Sequence, residues 1–206
     1  LVELGAPTRF LFGFLRPQSS MISIGIIIIS VFIILGAIHM AILLFKLKVG
    51  EGTVRLLGGV NGLFALGTAV YTGLLLGVVK AVPFWNTPMM PLLFLVSALS
   101  TGMGAVLLAV GLRRWVSPKA VEAEGEDITH SVHALSRLDI PLIVTELLVL
   151  FFLLFIMAAS RSTAVDSVRF LVSGGYAVAF WLGVVVVGLL LPLTLEAWSL
   201  TRGRGM

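Results

Sequence analysis

The sequence predicts an all-α integral membrane protein, a bundle of about five transmembrane helices. Three observations carry that expectation. The 206 residues are 59% hydrophobic and 12% charged, with a mean hydropathy of +1.13, and no soluble fold of this length could bury so much apolar side chain. Runs of Ile, Leu, Val and Phe are long enough for bilayer crossings, which need about 20 apolar residues each. They also lack the alternation of barrel strands.

Taken in order, residues 1–20 mix Phe with Arg9, Arg16, Pro7 and Pro17 and contain no spanning run, so they read as an interfacial docking loop. The first crossing is predicted from Met21 to Phe45, with Ser19 or Ser20 as N-cap and Lys46 and Lys48 at the end where the helix dipole favours cations. After a turn at Gly50, Glu51 and Gly52, the second crossing runs from Thr53 to Val79. At about 100° per residue, Asn61, Thr68 and Thr72 fall on one stripe with Tyr71 on its flank. One face of this helix therefore avoids lipid. Gly58 with Gly62, and Gly73 with Gly77, have the spacing that admits a close neighbouring helix.

The loop from Lys80 to Pro91 frames Trp85 and Asn86 with Pro83, Pro88 and Pro91, and the third crossing follows from Pro91 to Leu112. Proline is tolerated in a first helical turn because those N–H groups are unpaired anyway. Residues 21–112 thus form a three-helix part, and 113–138 a polar loop with His130, His133 and several carboxylates. Residues 139–206 form a two-helix part, with crossings at Asp139–Ala158 and Val168–Leu195 and a basic tail.

Tyr71, Thr72, Trp85 and Asn86 outline a candidate pocket near one membrane face. Tyrosine suits a place that is apolar at one end and polar at the other, and tryptophan favours the membrane–water boundary. An amphipathic ligand such as a quinone fits that chemistry. Glu146, with Asp139 seven residues earlier on the same face, is the second candidate. A carboxyl in lipid is costly unless neutral, paired or in a polar cavity, so proton handling is weighed against helix packing, with Asn61 as a continuation of the path. His39 is the one histidine inside a crossing, and a buried b-type haem needs ligands from facing helices, so no haem is expected. With no cysteine in the chain, thiolate-held iron–sulfur clusters are excluded within it. Its +4 charge sits in short flanks and reads as topology rather than nucleic-acid binding.

Nine Lys and Arg lie on the side of Lys46 and Arg113 and five on the side of Lys80, which makes the first side cytoplasmic by the positive-inside rule. The Tyr71 face is then periplasmic in a prokaryotic inner membrane. A chain that begins at Leu1 without a signal pattern reads as part of a longer polypeptide or as a processed one.

Several stretches together resemble the NrfD-like family, the membrane subunits of polysulfide-reductase-type respiratory complexes. They are Leu4–Phe10 (LGAPTRF), Leu15–Pro17 (LRP), Ser20–Ser23 with Gly25, Tyr71–Gly73 (YTG), and Pro83–Pro88 (PFWNTP) leading into LLFLVSALSTG. The likeness covers about the first half of the chain; the later half matches in hydropathy and in Glu146. Ala6 stands where the family pattern usually has arginine.

The resemblance implies a subunit of eight or more helices that is not catalytic alone. It implies a periplasmic site for menaquinone or ubiquinone around Tyr71, below a ferredoxin-like iron–sulfur subunit. A molybdopterin catalytic subunit or a multihaem cytochrome would complete the complex, with membrane lipid as the remaining partner. The alternatives are a secondary transporter, which lacks here the paired broken helices expected of one, and a structural anchor.

Overall fold

The computed structural model describes residues 21–116, 126–160 and 163–202. The docking loop of residues 1–20, with Arg9 and Arg16, lies outside the described residues, as do Lys119, Arg161 and Arg204.

Helices α1 (Met21–Leu44), α2 (Glu51–Gly77), α3 (Met89–Val116) and α4 (Glu126–Ala159) follow one another across the bundle. A short α5 (Ala164–Val172) leads to a π-helical run, π1 (Ala179–Leu190), that continues without a break into α6 (Leu191–Arg202). Five of these stretches are long and apolar enough to cross a membrane. Only 11% to 22% of each spanning window is buried within the chain. The remaining apolar surface therefore has to face lipid or further protein, since water would not tolerate it.

Each helix packs on its predecessor, α1 on α2, α2 on α3 and α3 on α4, while α4 also carries α5 and α6. No extensive packing joins α3 directly to π1 or α6. The two flank α4 and leave a space between them.

Sequence and structure differ at three boundaries. The third crossing extends to Val116, and α4 already begins at Glu126, so much of the predicted 113–138 loop is helical. A polar stretch free of Gly and Pro can still continue a helix, because ordinary residues differ in helix propensity by no more than about 0.7 kcal/mol each. Pro141 lies inside α4 and removes the hydrogen bond to the Arg137 carbonyl. The crossing expected at Val168–Leu195 is instead broken between α5 and π1. There, a Cβ at Gly174 would lie 2.7 Å from the Phe170 carbonyl. Only glycine fits that turn, and the Trp181 indole ties it by donating to the Val172 carbonyl at 2.9 Å.

The end of α1 is closed by Lys46 at φ 49° and by the Leu47 N–H donating to the Ile42 carbonyl at 3.1 Å. That is the six-to-one bond of a Schellman stop, with a lysine where glycine is usual.

Candidate functional site

Glycines set an antiparallel register between α1 and α2. Gly25 lies beneath the Tyr71 ring, Gly67 faces Ile28 at 3.5 Å, Gly36 faces the Asn61 amide at 3.5 Å, and Gly58 faces His39 at 3.1 Å. A side chain at Gly25 would overlap the phenol. On its other side α2 meets the start of α3, where a Cβ at Gly73 would press on the Pro91 backbone and lie 2.8 Å from the Met90 carbonyl. Tyr71 is thus buried between closely approaching helices, and its hydroxyl has no hydrogen-bond partner among the described residues.

The neighbours proposed for it are arranged differently. The Thr72 hydroxyl donates to the Thr68 carbonyl at 2.9 Å, and the Thr68 hydroxyl to the Phe64 carbonyl at 2.9 Å. Both donors are consumed by their own helix. The Asn86 side-chain amide donates to the Gly77 carbonyl at 2.6 Å, closing the C-terminus of α2 against the loop. Trp85, 38% exposed, sits in the same loop, with its carbonyl 4.0 Å from the Cβ position of Gly77. Tyr71 lies six residues before Gly77, about 9 Å along the helix axis. Trp85, Asn86 and Gly77 therefore come together as one group, with Tyr71 and Thr72 deeper in the bundle.

A second constellation lies toward the opposite membrane face. Between α3, α4 and π1–α6 is a cavity of about 820 Å³ whose polar lining includes Ser97, Ser136, Asp139, Glu146 and Glu196. Asp139 is 1% exposed and Glu196 9%, and their carboxyl groups lie close together on the cavity wall. One oxygen of each, Asp139 Oδ1 and Glu196 Oε2, is buried without a donor. Ser97, on α3, and Glu146, on α4, line the same cavity.

Asp139 and Glu146, paired by their sequence spacing, therefore line one cavity. Asn61 does not join them. Its side chain rests on Gly36, its Oδ1 is buried without a partner, and α2 shares no extensive interface with α4. Glu196 is the residue that sequence reasoning misses, since the last crossing is expected to end at Leu195. Its signal is an acid in the apolar frame LPLTLEAW. Among the described residues no group of three or more His, Cys, Asp or Glu is assembled for a metal.

Comparison with known proteins matches the whole chain, residues 1–206, to the family described as Polysulphide reductase, NrfD. The chain belongs to the NrfD family. Among curated relatives, the protein NrfD of Escherichia coli is 34% identical over 137 residues, 66% of this chain and 40% of that protein. The C subunit of the polysulfide reductase of Wolinella succinogenes is 38% identical over 138 residues, 66% of this chain and 41% of that protein. A protein NrfD homolog of Haemophilus influenzae is 33% identical over 125 residues, covering 60% and 36%. The matched region thus spans about two-fifths of the length of these NrfD relatives. No solved structure matches the chain significantly.

Proposed function

We propose that this chain is the quinone-interacting part of the membrane subunit of a respiratory oxidoreductase complex. In that role it exchanges electrons between menaquinone or ubiquinone and an iron–sulfur partner subunit. The observation that carries this reading is the NrfD match over residues 1–206, alongside a relative named as a polysulfide reductase subunit. The buried Tyr71, whose hydroxyl engages none of the described residues near that end of the bundle, supports a quinone site there.

When bound, a quinone supplies two-electron, two-proton chemistry in a lipid-soluble carrier. The Tyr71 hydroxyl would donate to one of its carbonyl oxygens and so orient the head group. The Trp85 indole at the loop shields the site from bulk water. Thr72 and Asn86 act one step removed: their bonds to Thr68 and Gly77 fix the end of α2 that carries Tyr71.

The excess of Lys and Arg at the opposite end of the bundle favours a periplasmic Tyr71 face in a prokaryotic inner membrane. Residues 1–20 and the loop Val82–Pro88 would then dock the iron–sulfur subunit, itself joined to a molybdopterin enzyme or a multihaem cytochrome. Asp139 and Glu146, with Glu196, would handle protons from the cytoplasmic side.

Tyr71→Phe in the intact complex tests the reading. Loss of one hydrogen bond costs about 0.5 to 1.5 kcal/mol, so turnover at limiting quinone falls while the complex stays assembled. Parent-like kinetics in Tyr71→Phe would remove Tyr71 from the site. Solute flux through the reconstituted protein, together with no quinone-dependent activity in the native complex, would replace the reading by a transporter.

A further inference from the structure

We propose that the cavity between α3, α4 and π1–α6 is a second binding site, for an uncharged amphiphile whose head carries hydroxyl groups. It lies toward the membrane face opposite Tyr71 and does not depend on the quinone reading of that residue.

The volume, about 820 Å³, falls within the range of roughly 300 to 1,000 Å³ typical of small-molecule sites. Most of the wall is aliphatic, from Leu107 and Leu108 on α3 and from Val184, Leu189 and Leu195 opposite. Water needs two to four polar partners to settle in a cavity, so it suits the acidic end and not the remainder. A ligand with an apolar body and a polar head matches both parts.

The chemistry of the head follows from what is unsatisfied. The orphaned buried atoms, Asp139 Oδ1 and Glu196 Oε2, are both acceptors. The nearby Ser199 hydroxyl already gives its proton to the Glu196 carbonyl at 2.8 Å, leaving its oxygen as a further acceptor. The occupant must therefore bring donors. A phosphate in the head would set further acceptor oxygens against the acceptors already on this wall, Asp139, Glu146 and Glu196, and would repel any of them that is ionised. That selects a neutral hydroxyl head. A quinol and a diacylglycerol both have that chemistry.

The test uses the intact complex in native-lipid nanodiscs, photolabelled with three diazirine probes: a quinol, a dioleoylglycerol and a phosphatidylglycerol. Labelling by the quinol or the diacylglycerol is expected in residues 97–111 and 184–199, well above the phosphatidylglycerol level, and the stronger of the two arms identifies the class. Gly104→Leu is the filling variant, because no atom lies within 4 Å of a Cβ at Gly104, a cavity-lining position. It should abolish that labelling while leaving probes elsewhere unaffected. Asp139→Asn with Glu196→Gln should weaken it. Tyr71→Phe should leave it intact, which separates this site from the one at the other face. The proposal is overturned if all three probes label these residues equally and regardless of Gly104→Leu. It is also overturned if photo-crosslinkers placed in the cavity capture another polypeptide segment, for then protein fills the space.

Discussion

The phenol of Tyr71 occupies the space that any side chain at Gly25 would need. A helix position therefore has to be glycine for the tyrosine to lie buried where it does. Gly25→Ala forces the ring or the helix to move, at a cost of about 1 to 3 kcal/mol for overpacking. Quinone turnover should fall at least as far as in Tyr71→Phe, with a lower thermal midpoint of the complex in detergent. An unchanged midpoint would show that the α1–α2 approach is looser than the register implies.

The Asn86 amide bond to Gly77 predicts a local effect of a different kind. In Asn86→Ala the last turn of α2 loses a hydrogen bond worth about 0.5 to 1.5 kcal/mol. Faster amide exchange is expected in residues 78–88, without a change in α4. Hydrogen–deuterium exchange by mass spectrometry reads this directly.

Lys46 holds a backbone conformation that costs a non-glycine residue about 1 to 2 kcal/mol. Lys46→Gly should therefore raise stability by about 1 kcal/mol at that helix stop. The same change removes a cation from the end rich in Lys and Arg. Replacing Lys48 by Gly serves as the charge control, because the gain in thermal midpoint should appear only at position 46.

Glu146→Gln keeps shape and hydrogen-bonding capacity but cannot titrate. If Glu146 carries protons, the number moved per quinone in sealed vesicles falls in this variant, while quinone turnover with an uncoupler persists. An equal ratio in parent and variant would return Glu146 to helix packing against Ser97.

The five crossings are legible in the sequence because length and apolarity alone dictate them. Tyr71 and its loop are legible because polar aromatics and prolines stand out against that background. The break at Ser173–Tyr176 is harder to read, since the Gly174–Gly175 pair is required only once Phe170 is packed beside it. Glu196 escapes for a tertiary reason. Its partner Asp139 is far away in sequence, and nothing local to LTLEAW announces a carboxyl opposite. Asn61 does fall on a face that avoids lipid, but the helix it meets is α1, and neighbour identity is not written in periodicity.

The π-helical run Ala179–Leu190 also acts as a spacer that sets the angular phase of everything after it. Its hydrogen bonds span five residues instead of four, so it contains more residues per turn than the α-helix it feeds. Deleting one residue between Val184 and Val187 would let ordinary α-helical winding take over. Residues beyond the deletion would then be rotated by up to about 100° relative to α4. Glu196 would swing away from Asp139 although neither residue had been altered. The pairing of these two acids is thus a property of chain length upstream as much as of the acids themselves, and single-residue insertions or deletions in this helix are the changes it can least absorb.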